Sequence, residues 1–167
     1  MKTDTADQHW NDQWAGIEAG SKWLMPEEDV KVWATGLASG ARILELGAGV
    51  GRHGLWLAAL GFEVTALDAA PEGLTEIDNA GDVETVLARM DALPFEDHAF
   101  DHVLSWNVIY HGDEDIVLCT IAEIRRILKP GGSYMGTMLS KRRLPYEQEK
   151  FAGRELSRNA WIFDAPG

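Results

Sequence analysis

Residues 43–54 read Ile-Leu-Glu-Leu-Gly-Ala-Gly-Val-Gly-Arg-His-Gly, and no other stretch limits the possible folds of this chain so tightly. A short apolar run with strand character enters three glycines spaced two apart, Gly47, Gly49 and Gly51. An apolar run with helical character leaves them and continues to Leu60. Strand, glycine turn and helix in that order let bare main chain approach a nucleotide-like ligand. A dinucleotide fingerprint of the Gly-x-Gly-x-x-Gly kind needs its third glycine at position 52, where Arg52 stands. That substitution counts against a nicotinamide-dependent oxidoreductase. Glu45, two residues before the first glycine, would repel a pyrophosphate and attract a cation. The stretch therefore points to a positively charged nucleoside ligand.

The rest of the chain alternates strand and helix patterns around this turn. Strands are expected at residues 42–46, 62–67, 84–90, 101–106 and 133–139. Helices are expected at residues 51–60, from Pro71 to a stop at Gly81, and over 113–129, where Val117, Ile121, Ile124 and Leu128 keep a helical spacing. Acids open that last helix and Arg125, Arg126 and Lys129 close it, as the helix macrodipole favours. Pro130-Gly131-Gly132 should break it and turn into the fifth strand. The first forty residues read as helical, with Trp10 and Trp14 on one face and Pro26-Glu27-Glu28-Asp29 opening a second helix. Alternation of this kind implies a parallel sheet covered by helices on both faces. Ligands then sit outside the carboxyl ends of the strands.

Size and charge narrow the function. At 167 residues the chain is long enough for one domain with a proper core. No apolar run approaches the roughly 18 residues that span a bilayer. The start, Met1-Lys2-Thr3-Asp4, does not resemble a secretory leader. A single cysteine excludes an internal disulfide and fits a reducing, cytoplasmic location. Cys119 sits in an apolar helical pattern and is expected to be a buried structural thiol. A net charge of −12 argues against a nucleic-acid partner. After residue 140 six bases face four acids, so the tail alone is slightly basic. It reads as a solvated connection or as a cover for an anionic acceptor. The five histidines show no tight metal-ligand spacing, and one cysteine cannot build a thiolate cage, so no metal is expected.

Two further carboxylates fall at strand ends. Asp68 closes the second strand 19 residues after Gly49. It can accept from both hydroxyls of a ribose, or simply cap the helix that starts at Pro71. Asp91 precedes Ala92-Leu93-Pro94-Phe95. It can accept from an exocyclic amine, with Leu93 flanking a purine, or be a turn aspartate before a proline loop.

Five segments in order resemble the successive motifs of class I S-adenosylmethionine-dependent methyltransferases. They are Glu-Leu-Gly-Ala-Gly-Val-Gly, Val-Thr-Ala-Leu-Asp, Met-Asp-Ala-Leu-Pro-Phe, Phe-Asp-His-Val-Leu-Ser and Leu-Lys-Pro-Gly-Gly, within residues 41–139. The Gly-Arg-His-Gly-Leu-Trp-Leu-Ala helix start is also similar to a small-molecule branch that includes type 11 and tellurite-resistance-like enzymes. The resemblance implies a Rossmann-like, doubly wound α/β fold with strand order 3-2-1-4-5. It implies S-adenosylmethionine as cofactor, S-adenosylhomocysteine as product, and direct methyl transfer to a small-molecule acceptor. Glu45, Gly47, Ala48, Gly49, Gly51 and Arg52 would hold the amino-acid arm and adenosine. Asp68 and Ala69 would take the ribose, and Asp91, Ala92 and Leu93 the adenine. Asn107 and Val108 would line the methyl-transfer mouth, where His111, Tyr110 and Asn107 are the candidates for assisting a protonated acceptor. His53 reads as such a base or as a helix-start residue. Trp14, with Trp10, would belong to an N-terminal lid, or dock that helix onto the sheet.

The resemblance also divides the chain into a helical lid or cap at 1–40, a cofactor-binding core at 41–139 and a tail at 140–167. Similar proteins continue after the fifth strand with a helix and two more strands. Here strands 6 and 7 are expected to be lacking, since at most one short strand, at 161–163, is expected in the tail. An uncovered edge strand would result. A fragment of a longer protein is the first expectation. A homodimer through that edge and a tail folded across it are the others. A cofactor-holding module without its own turnover is the alternative function.

Overall fold

The computed structural model describes residues 6–18, 20–139, 144–150, 152–157 and 160–163. Of the tail bases, Lys141, Arg142, Arg143 and Arg158 lie outside the described residues, so the expected basic cover falls largely outside them too.

The core alternates as the sequence implies. Strand β1 spans Arg42–Leu46, β2 Glu63–Asp68, β3 Glu84–Leu87, β4 Phe100–Ser105 and β5 Leu128–Gly136. All four strand pairs are parallel, in the order β3-β2-β1-β4-β5. Helices α3 (Gly54–Ala59), α4 (Pro71–Ala80) and α5 (Glu114–Ile127) connect them. Before the sheet come α1 (Ala6–Ala15), a 3-10 turn at Lys22–Leu24 and α2 (Glu28–Ala34). The sheet forms two apolar layers. Ile43, Ala66 and Leu104 point to one, with Val30, Leu57 and Ile77. Leu44, Leu46, Leu67 and Val103 point to the other, with Phe100, Ile124 and Ile127. Burying each of these side chains contributes roughly 1.5–3 kcal/mol, so the sheet itself is the stable frame.

Strand order turns around between β1 and β4. The chain winds outward through β2 and β3, then returns to the other side for β4 and β5. The carboxyl ends of β1 and β4 therefore open a crevice, where parallel sheets take their ligands.

Several boundaries differ from expectation, each for a local reason. Helix α3 starts at Gly54, because residues 47–53 are spent on the turn. Strand β3 ends at Leu87, four residues short of Asp91. Helix α5 ends at Ile127 and β5 begins at Leu128, ahead of Pro130-Gly131-Gly132. Lys129 precedes a proline, which pushes it out of helical conformation. The buried face of α5 is also rotated. Thr120, Ile124 and Ile127 are buried, whereas Ile121 is exposed. Thr120 tolerates burial because its hydroxyl donates to the Ile116 carbonyl at 2.7 Å. Cys119 is exposed, not a buried thiol, since it follows Leu118 on the outward side.

In the tail, α6 (Leu144–Lys150) is followed by two strands, β6 (Gly153–Ser157) and β7 (Ala160–Phe163). The tail thus holds more than the one short strand expected. The pair is antiparallel and forms its own sheet, separate from β5. Among the described residues β5 pairs with β4 alone.

Candidate functional site

The glycine turn lies across the carboxyl ends of β1 and β2. The backbone N–H groups of Gly47 and Ala48 both donate to the Leu67 carbonyl, at 2.7 and 3.0 Å. The N–H of Gly49 donates to Asp68 Oδ2 at 2.7 Å, and that of Ala70 to Asp68 Oδ1 at 2.9 Å. Asp68 thereby fastens the turn after β1 to the start of α4. Burial pushes its carboxyl above the usual carboxylate range, against these N–H groups, which pull it down. One lone pair on each oxygen is spent on the backbone, and each oxygen keeps a second.

Two of the glycines are needed for different reasons. Gly49 has φ +55°, and a Cβ there would lie 2.8 Å from the Trp14 ring. Its bareness lets the Trp14 ring close against the turn. Gly51 has φ +80°, and its Cβ would lie 2.7 Å from Ile77 of α4. Its bareness serves helix packing. Gly51 does not line the cavity, which corrects its expected place among the ligand-binding residues.

The cavity over this turn encloses about 1010 Å³, counting the part open to solvent. It gathers Glu45, Gly47, Ala48, Gly49 and Arg52 from the first motif, and Asp68 and Ala69 from the second. Asn107, Val108, His111 and Trp14 complete the expected set. Asp91, Ala92, Leu93 and Tyr110 are not among its walls. Because β3 ends early, Ala88, Arg89 and Met90 form that wall instead. Asp91 is turned to Arg89, whose Nε donates to its Oδ1 at 3.1 Å. Ala92 is exposed and Leu93 is buried in the apolar layer beneath the sheet. Arg126 holds this loop by donating to the carbonyls of Phe95 (2.6 Å) and Leu93 (3.0 Å). It is gripped in turn by Glu123, which also accepts from the Leu93 N–H.

Glu45 is placed differently from a free anion awaiting a cation. Its side chain is buried, with Oε2 accepting from the Gly54 N–H at 2.7 Å and Oε1 lying 3.1 Å from His53 Nδ1. His53 is only 1% exposed and borders the cavity. Among the described residues its buried Nε2 has no hydrogen-bond partner, and neither has Nε1 of Trp14.

At the β4 end, Asn107 adopts φ +62°, a conformation asparagine tolerates better than most residues. Its N–H donates to Thr137 Oγ1 at 2.7 Å, and the Thr137 hydroxyl donates back to its side-chain oxygen at 3.0 Å. Its carbonyl accepts from His111 Nε2 at 3.0 Å. His111 then presents Nδ1 as its lone-pair nitrogen when neutral. Packing against Tyr110 and edge-on against Trp10 desolvates the ring and holds its pKa below the usual histidine value.

The outer wall is aromatic. Trp10 and Trp14 stack with centroids 5.3 Å apart, and Trp23 meets both edge-on at 6.2 and 5.8 Å. Arg52 lies 5.3 Å over Trp23 and donates to Glu27 at 3.0 Å. Asn11 Oδ1 accepts from the Glu72 N–H at 3.1 Å, which ties α1 to the first turn of α4. Sequence reasoning missed Trp23, Trp106, Arg89 and Met90 as wall residues and underrated His53. Only the placement of Trp106 directly after β4 carried a signal that could have found one of them.

Comparison with known proteins agrees with this geometry. Residues 43–132 match the family described as methyltransferase domain. A demethylmenaquinone methyltransferase of Clavibacter sepedonicus is 42% identical over 101 residues, which cover 56% of this chain and 39% of the relative. A glycine/sarcosine/dimethylglycine N-methyltransferase of Actinopolyspora halophila is 31% identical over 156 residues, covering 81% of this chain and 27% of the relative. The crystal structure of PH0226 from Pyrococcus horikoshii OT3 shares the fold with a TM-score of 0.68 at 21% identity, covering 84% of this chain and 72% of that one. The chain thus spans well under half the length of these two curated relatives.

Proposed function

The chain belongs to the class I S-adenosylmethionine-dependent methyltransferases, and from that premise we propose that it methylates a small-molecule nucleophile by direct displacement. One observation carries the proposal. The glycine turn, Asp68 and the tryptophan wall enclose a single cavity at the point where strand order reverses.

The residues present fit the cofactor. Gly49 lets the Trp14 ring close this wall of the cavity, and Asp68 keeps lone pairs for ribose hydroxyls. Two buried polar atoms on the cavity walls, His53 Nε2 and Trp14 Nε1, lack partners among the described residues. No phosphate-binding group is required, consistent with the carboxylates there. Ala69 would flank the ribose, and Ala88, Arg89 and Met90 would face the adenine in place of Asp91.

When bound, S-adenosylmethionine supplies a methyl group on a sulfonium and is left as the neutral thioether S-adenosylhomocysteine. The protein's share is mainly alignment and proximity. Asn107 and Val108 shape the mouth, and the tryptophans keep water out. For an acceptor that must shed a proton, His111 offers Nδ1 as the base while Nε2–H stays fixed on the Asn107 carbonyl. Tyr110 supports that ring from behind. Residues 1–40 act as the lid, 41–139 as the cofactor core and 140–167 as part of the acceptor cover.

The relatives are named for demethylmenaquinone and for glycine, sarcosine and dimethylglycine, so the matched region alone does not select an acceptor. Calorimetry with S-adenosylmethionine and S-adenosylhomocysteine tests the cofactor. Transfer of labelled methyl to a panel of thiols, acids, amines, hydroxyl compounds and metalloid oxyanions tests the acceptor class. Absence of binding to both cofactor forms defeats the proposal. The outer edge of β5, unpaired among the described residues, favours a second reading, a cofactor-holding module that lacks turnover or completes itself across that edge of a second copy. Tight cofactor binding with no transfer to any acceptor supports it.

A further inference from the structure

The Glu45–His53 pair has a geometry that the family assignment does not explain. A carboxylate buried to 2% exposure lies behind a histidine buried to 1%, and the outer nitrogen of that histidine has no partner among the described residues. A buried polar atom left unpaired costs stability unless something binds it. Resting on the cofactor reading above, we infer that His53 Nε2 accepts a hydrogen bond from the α-ammonium group of the bound cofactor, with Glu45 as the positioning residue behind it.

The carboxylate behind the ring fixes its tautomer. Glu45 Oε1 can only accept as a carboxylate, so His53 Nδ1 carries the hydrogen across the 3.1 Å contact. In the neutral ring Nε2 then holds a lone pair and seeks a donor. The Gly54 N–H fixes the other Glu45 oxygen at 2.7 Å, so the carboxylate cannot swing away. A carboxylate behind a histidine sets both its tautomer and its orientation. In that tautomer the partner of Nε2 is a donor, and the negative charge behind the ring favours a cationic one.

Its position points the same way. A linear ligand laid across the strand ends with its adenine at β3 and ribose at β2 extends its amino-acid arm toward β1 and β4. His53 borders that end, its ring 6.2 Å edge-on from Trp106, directly after β4. The ammonium is the donor that this ligand carries in that arm. Glu45 thus serves the cation at one remove, through an imidazole.

The test uses four adenosyl compounds on the full chain: S-adenosylhomocysteine, its decarboxylated analogue, its deaminated analogue and 5′-methylthioadenosine, which lacks the arm. His53→Phe should weaken binding of the two amine-bearing compounds about tenfold or more, the scale of a hydrogen bond to a charged group. It should leave the deaminated compound and 5′-methylthioadenosine within about twofold. Glu45→Gln should show the same pattern more weakly. A loss that follows the carboxylate instead, or equal affinities for all four compounds in wild type and His53→Phe, overturns the inference. Should His53→Phe fold poorly, nitrogen-15 resonances of His53 in the wild-type protein decide the matter. Nε2 must shift as an acceptor when S-adenosylhomocysteine binds and stay still with 5′-methylthioadenosine. Failure of the wild type to bind any of the four removes the cofactor reading itself, a different result from selective insensitivity at position 53.

Discussion

The two walls of the cavity are held by different physics. The inner wall, the turn at residues 47–49 with Asp68, is fixed by short hydrogen bonds between backbone and carboxylate. The outer wall, Trp10, Trp14 and Trp23, is fixed by ring packing and by one side-chain cap from Asn11. Directional bonds on a stable sheet resist displacement, whereas stacked rings slide and separate at modest cost. The contrast suits a site whose inner half recognises and whose outer half admits.

Breaking the inner wall should have the largest effect. Asp68→Ala removes the proposed ribose acceptor and strands the N–H groups of Gly49 and Ala70. Calorimetry should record about a hundredfold weaker binding of S-adenosylhomocysteine, and urea titration a loss of about 2 kcal/mol or more. Unchanged affinity would show that Asp68 is only a cap. Breaking the outer wall should separate binding from stability. Trp14→Ala is expected to weaken S-adenosylhomocysteine severalfold and to speed proteolysis within α1, with little change in the unfolding midpoint of the sheet. Its small cluster with Val50 and Ala70 lies apart from the two main apolar layers. Coincident loss of both would mean that α1 belongs to the folding core.

Finer probes sharpen the comparison. Asn11→Ala should cost about 1 kcal/mol, the typical value of a lost cap, seen as faster hydrogen exchange at Glu72. The pH dependence should be smaller still. His111 has a lowered pKa, so the unfolded chain takes up its proton first as pH falls below the usual 6.5. Its contribution is therefore complete above that value and lost on acidification. Asp68, with a raised pKa, acts in the opposite sense: its contribution is complete below its usual 3.8 and is lost as pH rises through its higher folded-state value. His111→Asn should flatten the stability curve just below pH 6.5. An identical slope in the variant would count against the desolvated ring.

The same division governs what could be read from residue order. Strands β1 and β2 and the Pro71 start and Gly81 end of α4 were legible because glycine spacing, proline position and apolar runs act locally, whereas the strand order came from the family resemblance. The distal side was less so. Asp91 looked like a ligand, yet β3 stops at Leu87 and Arg89 claims the carboxylate. The clasp of Arg126 on Leu93 and Phe95 joins residues about thirty positions apart, beyond the reach of any local pattern. The face of α5 was misjudged by a rotation, because an apolar helix leaves open which stripe the sheet will cover. Glu45 was correctly singled out as unusual, but its engagement with His53 and Gly54 depends on how the turn closes.

Four of the seven tryptophans, Trp10, Trp14, Trp23 and Trp106, border one hollow. Their emission should dominate any change in the intrinsic fluorescence of the protein when that hollow fills. Unlabelled compound libraries can therefore be screened against the native chain by light alone, before an acceptor is known.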